Sequence, residues 1–167
     1  MTRFEQFQQN VQRWATERGI YEHSTALAQA LKAVSEVGEL CDAVVKNDRD
    51  ALIDAIGDTA VCLVNVGAMR GLKFDLPYAF EQGPFAARVT LQFAAAQTAV
   101  SAGLLAEETA ELGGTDEGYA DGLLLSLFCT ARVAKLNFDD CCESAWQTIK
   151  DRKGRMVAGG AFVKEGE

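Results

Sequence analysis

Only two prolines occur in the 167 residues, Pro77 and Pro84, and both lie in the middle of the chain. The long stretches on either side therefore contain nothing that removes a backbone donor or clashes with a preceding helical turn. Ala, Leu, Glu, Lys and Gln dominate those stretches, and β-branched residues are scattered rather than alternating with polar ones. An all-α chain is the expectation. Five main helices are predicted. The first runs from about Arg3 to Arg18 and stops near Gly19; the second runs from a Ser24/Thr25 cap to about Lys46. The turn Asn47-Asp48-Arg49-Asp50 opens the third, which ends near Gly71. After a link over Asp75–Pro84, with room for one helical turn, the fourth spans about Ala87–Leu112 and is broken by Gly113-Gly114. The fifth covers about Glu117–Leu136, and a last segment, Asp139–Lys153, also reads as helix. The expected architecture is a helical bundle of five to six helices in one domain, residues 1–155, with a loosely held tail at 156–167.

The length suits one domain with a real core, and 49% of the residues are apolar. No uninterrupted apolar stretch reaches the roughly 18 residues of a membrane span. The polar, amphipathic segment Met1–Trp14 does not read as a secretory signal, so a cytoplasmic protein without a membrane partner is expected. Cys41, Cys62 and Cys129 sit in apolar helical stretches, Cys141 and Cys142 are adjacent, and His23 is the one histidine. An odd count without a CxxC pair points away from zinc and disulfides and towards buried thiols. The formal charge of −8, without a long basic stretch, disfavours binding of a nucleic-acid polymer. An acidic protein that handles a polyphosphate needs a cation between the two.

The sequence also echoes itself. Gly71-Leu72-Lys73-Phe74-Asp75 matches Lys135-Leu136-Asn137-Phe138-Asp139, and Ala33-Val34-Ser35 matches Ala99-Val100-Ser101. Duplication of a helical hairpin and chance matching between Ala/Leu-rich helices both account for this. In the second copy, Ala102 and Leu105 stand where the first has Glu36 and Glu39.

Those acids are where chemistry is expected. At about 100° per residue, Lys32, Glu36 and Glu39 share one stripe of the second helix, opposite a predicted core seam of Leu27, Leu31, Val34, Gly38, Cys41 and Val45. A solvated face with an ordinary i,i+4 pair would look the same. The third helix is more telling: Thr59–Met69 is apolar on nearly every side, yet Asp54, Asp58 and Asn65 share one stripe running into it. Carboxylates near a buried surface are costly unless paired or bound to a cation. A solvated face suits Asp54 and suits Asp58 and Asn65 poorly. Glu39 and Asp58 lie at nearly the same height above the turn, so antiparallel packing predicts Glu36, Glu39, Asp54 and Asp58 around one small volume. Oxygen-only ligation without histidine suits Mg²⁺, or Mn²⁺. A di-iron bundle needs Glu-x-x-His, which His23 does not complete.

Ser35-Glu36-Val37-Gly38-Glu39-Leu40 resembles the first acidic motif, Glu-x-x-Glu, of the MazG-type all-α nucleoside-triphosphate pyrophosphohydrolases. Asp54-Ala55-Ile56-Gly57-Asp58 resembles their second, Glu-x-x-Asp, with Ala55 at the usual acidic position. The stretches Val11–Gly19 and Trp146–Met156 are similar to flanking segments of phage-type and bacterial members. The resemblance implies a MazG-like bundle that cleaves a (deoxy)nucleoside triphosphate between its α- and β-phosphates. It implies Glu36, Glu39 and Asp58 as catalytic ligands of Mg²⁺, with Asp54 as a fourth ligand. Lys32, Lys150, Arg152 and Lys153 then become candidates to hold phosphates, although basic residues also favour a helix C-terminus. Trp14 and Asn65 become candidates to contact the base, a core role being the alternative for Trp14. A homodimer or homotetramer is implied as well. The competing functional expectations are a dimeric-type dUTPase and a catalytically inactive helical module that binds nucleotides or a partner.

Overall fold

A computed structural model describes residues 1–74, 89–111 and 117–166. They form helices α1 (Arg3–Glu17), α2 (Ile20–His23), α3 (Ala26–Lys46), α4 (Arg49–Arg70), α5 (Leu91–Ala110), α6 (Glu117–Val133) and α7 (Phe138–Ile149). A short antiparallel hairpin, β1 (Gly154–Met156) with β2 (Phe162–Lys164), follows α7. The all-α expectation holds. The predicted link over Asp75–Pro84, the start of a helix near Ala87 and the Gly113-Gly114 break lie outside the described residues.

Local chemistry sets the helix ends. The Thr25 hydroxyl accepts from the Ala28 amide and the Asp48 carboxylate from the Ala51 amide, so each satisfies an otherwise orphaned donor. Asn47, in the left-handed region at φ 54°, turns the chain between α3 and α4. The two echoing segments close their helices alike. Gly71 (φ 71°) and Lys135 (φ 57°) both take the left-handed conformation, and the next amides, Leu72 and Leu136, return to the carbonyls of Gly67 and Ala131. Phe74 and Phe138 then plug into the core at equivalent places, 4% and 3% exposed.

Helix α4 lies at the centre. Every residue from Thr59 to Gly67 is buried, with α1, α3, α6 and α7 packed around it. By length and composition α4 could cross a membrane, at a mean hydropathy of 1.5 over the qualifying window, yet 72% of that window is buried inside the fold. That is how a core helix reads when apolar on all sides. Its approach to α7 is close because residue 57 is glycine: a Cβ there would collide with the carbonyl of Cys141 and the Ala145 methyl.

Three expectations need correction. The seam of α3 that faces the core is Ala30, Ala33, Val37, Leu40, Ala43 and Val44, not the predicted one. Leu31 and Val45 are 56% and 81% exposed, Val34 and Gly38 are also exposed, and Cys41 is only half-buried. α3 carries apolar side chains on most of its circumference, and it is packed on two sides, by α4 and by α5. The alanine-rich face is the one that lets both neighbours come close. The second correction concerns the C-terminus. The last helix stops at Ile149, short of the predicted Lys153, and part of the expected loose tail joins a hairpin in which Gly154 pairs with Lys164, Arg155 with Val163 and Met156 with Phe162. Third, α6 ends at Val133, three residues before the predicted Leu136, where the left-handed Lys135 stops it.

Candidate functional site

A cavity of about 410 Å³ opens beside α3 and α4. Among its lining residues are Trp14, Gln29, Lys32, Glu36, Asp58 and Asn65, with Arg152 and Phe162 arriving from the C-terminal segment. Thus α3 contributes Gln29, Lys32 and Glu36, one helical stripe at spacings of three and four, and α4 contributes Asp58 and Asn65 at a spacing of seven. The cavity has two ends of different chemistry.

Lys32, Glu36, Asp58 and Arg152 carry its charge. Glu36 is 5% exposed and pairs with the Lys32 ammonium at 2.5 Å. Burial, the largest single influence, would lower the Lys32 pKa, but the bond to Glu36 and the charges of Glu36, Cys62 and Glu39 together outweigh it and the net shift is upward. Asp58 has neither a hydrogen bond nor an ion pair among the described residues. Burial raises its pKa to about 6, and the neighbouring charges of Asp54 and Glu36 push the same way, against Arg152 and Lys32. The predicted gradient along α4 is present: Asp54 exposed, Asp58 half-buried, Asn65 buried at 2%.

Amides dominate the other end. The Tyr21 hydroxyl donates to Asn65 Oδ1 at 3.0 Å, Asn65 Nδ2 donates to Gln29 Oε1 at 3.2 Å, and Gln29 Nε2 donates to Ser24 Oγ at 3.0 Å. Trp14, 6% exposed, forms part of the wall, with the Phe162 ring edge-on at 5.7 Å and the Arg18 guanidinium 5.3 Å over its centroid. Its indole Nε1–H is buried without an acceptor among the described residues. Trp14 is part of the core and of the cavity wall.

The four predicted carboxylates do not share one volume. Glu36 and Asp58 do; Glu39 and Asp54 are exposed and do not line the cavity. Asp54 faces a shallow surface depression beside Asp50 and Ser144. Ala55, at the position where the resembling motif carries an acid, is the residue that α4 buries. One residue is 100° of helix, which is enough to send Asp54 outward. Glu39 stays within electrostatic range of Lys32, and Asp54 of Asp58. Among the described residues, no set of three or more His, Cys, Asp or Glu side chains is placed to hold a metal ion. All four predicted ligands are carboxylates, the donor type a hard cation takes, and two of them line the same cavity.

Of the basic trio near the C-terminus, only Arg152 reaches the cavity. Lys150 bonds the Gln147 side chain and Lys153 is exposed. Arg18 fixes this segment by donating to the carbonyls of Arg152 (3.0 Å) and Lys150 (3.2 Å). The residues missed at the sequence level are Gln29, Tyr21, Arg18 and Phe162. A signal existed for two of them. Gln29 continues the Lys32–Glu36 stripe, and Gly159-Gly160 between two short apolar runs is a hairpin cue that leads to Phe162.

No protein-family model matches the chain, and no solved structure matches it. Over 64 residues it is 41% identical to an uncharacterized 18.2 kDa protein from the rep–hol intergenic region of Haemophilus phage HP1 (strain HP1c1). That similarity spans 38% of this chain and 39% of the phage protein's length.

Proposed function

We propose that the chain is a MazG-like nucleoside-triphosphate pyrophosphohydrolase that converts (deoxy)nucleoside triphosphates into monophosphates and pyrophosphate. One observation carries the reading: a single cavity joins a buried amide end, Gln29 and Asn65, to an end holding Glu36, Asp58, Lys32 and Arg152. Such a pocket suits a ligand with a hydrogen-bonding ring at one end and a polyanion at the other. Arg152 and Lys32 hold phosphate oxygens as charge-assisted donors. Glu36 and Asp58 would hold Mg²⁺ or Mn²⁺ within the cavity, and Glu39 and Asp54, exposed outside it, would have to turn inward to complete the set. The cation would screen the acids from the triphosphate and activate water. One of Glu36 and Glu39 orients the attacking water and takes its proton as its oxygen bonds the α-phosphorus and pyrophosphate leaves.

A second reading has its own support. Ala55 on the buried side, with Asp54 turned outward, describes a helical nucleotide-binding module without turnover. Pyrophosphate release in Mg²⁺, assayed with several triphosphates, separates the two, and strict preference for dUTP would identify the dUTPase alternative. Glu39→Ala is the cleanest variant because Glu39 is exposed and its loss leaves folding untouched. The enzyme reading expects Glu39→Ala, Glu36→Ala and Asp58→Ala each to lower turnover at least about a hundredfold with circular dichroism unchanged. Wild-type rates in all three would refute it.

A homo-oligomer belongs to the same proposal. Phe93, Val100 and Leu104 of α5 and Leu31, Val34 and Val45 of α3 are exposed on two helices that pack together. From Leu91 to Ala106 no side chain is charged. In a chain of net charge −8, the uncharged run of α5 is a surface that two copies can share without like-charge repulsion. Light scattering tests it: a monomer at micromolar concentration would remove the oligomer. A cytoplasmic setting fits an enzyme acting on free nucleotides.

A further inference from the structure

The chain of bonds from Tyr21 through Asn65 and Gln29 to Ser24 has hydroxyls at both of its ends. A hydroxyl donates and accepts; an amide offers a donor on one side and an acceptor on the other. Half a turn of both amides reverses every bond without losing any. Asn65 Nδ2 then donates to Tyr21, Gln29 Nε2 to Asn65 Oδ1, and the Ser24 hydroxyl to Gln29 Oε1. Burial pushes the Tyr21 pKa up to about 12, so its proton stays in place for either direction. Because hydrogen bonds in a chain polarise one another, the unit favours two concerted states over mixed ones. In both states each cavity-lining amide keeps one N–H and one lone pair unused among the described residues.

Nucleobases differ in this respect. A keto pyrimidine presents N3–H as donor and C4=O as acceptor; an amino pyrimidine presents N3 as acceptor and C4–NH₂ as donor. An amide fixed in one direction leaves a buried polar group unpaired against the wrong base, and discrimination by about 10⁴–10⁵ follows. An amide free to reverse leaves neither unpaired.

We propose that Tyr21–Asn65–Gln29–Ser24 is a reversible base reader, so that this pocket takes keto and amino nucleotides alike rather than one base. The inference rests on the nucleotide reading of the cavity, and binding tests it apart from turnover. The probes are the α,β-imido analogues of dUTP and dCTP, titrated calorimetrically with Mg²⁺. Wild-type dissociation constants are expected within tenfold of each other, and a larger ratio overturns the reader while leaving the nucleotide site standing. Gln29→Glu supplies an acceptor-only group at the centre of the chain. It forces Asn65 and Ser24 to donate towards residue 29, and is expected to shift the ratio at least tenfold in favour of the amino base. Equal effects on both analogues overturn the proposal. The wild-type ratio decides alone if circular dichroism shows that Gln29→Glu does not fold. Absence of binding by either analogue sinks both this inference and the nucleotide reading. Binding of both without hydrolysis of dUTP sinks only the enzyme.

Discussion

The hairpin α3–α4 and the hairpin α5–α6 echo each other in sequence and close with the same left-handed turn, yet they put opposite chemistry at matching positions. Where α3 buries Glu36 beside a cavity, α5 buries Ala102; where α3 exposes Glu39, α5 buries Leu105 at 0%. The difference teaches how a helical pair becomes a site. In α5–α6 the equivalent stripe is filled by contacts between helices. Polar pairs there are local, such as Thr98 with Thr130 at 3.0 Å and Ser101 with Ser126 at 2.9 Å. In α3–α4 the stripe is left open and its polar groups face a cavity.

Truncation at matching positions tests that contrast most strongly. Leu105→Ala is expected to cost about 2–5 kcal/mol, whereas Glu39→Ala should stay within about 0.5 kcal/mol. Urea denaturation of both variants checks it, and equal losses would break the comparison. The next effect is pH-dependent. Folding raises the Asp58 pKa from 3.8 to about 6, so the native state binds the extra proton. Stability from this group is lost as pH rises between those values, and the cost is full above about pH 6. Asp58→Asn should therefore raise stability by roughly 1–2 kcal/mol at pH 8, an amount already reduced for partial solvent screening. The gain should vanish near pH 4, as melting temperatures across that range would show. A pH-independent gain would mean that Asp58 is not held in this strained ionised state. The smallest effect sharpens the likeness. Lys135 takes a backbone conformation that costs a side-chain-bearing residue about 1 kcal/mol, so Lys135→Gly should stabilise by that amount and Gly71→Ala should lose a similar one. Thermal melts that leave both unchanged would show that the two closures differ in energy.

How much of this could be read from residues alone varies by region. The helix caps at Thr25 and Asp48 and the burial of α4 were readable because side-chain capping and all-round apolarity are local properties. The outward turn of Asp54 follows from its one-residue offset. The buried face of α3 was not readable, since apolar residues cover most of that helix and only its neighbours decide which of them are covered. Glu36 was recognisable as a candidate, but its burial depends on Lys32 and on α4. The charged C-terminal run suggested three phosphate-holding residues. Of these only Arg152 lines the cavity, in a segment whose backbone is held by Arg18 from a distant part of the sequence.

The edge-on meeting of Trp14 and Phe162 has an outcome during synthesis. One wall of the cavity joins residues that lie far apart in the chain. Until Phe162 has been synthesised, that wall lacks one of its two rings.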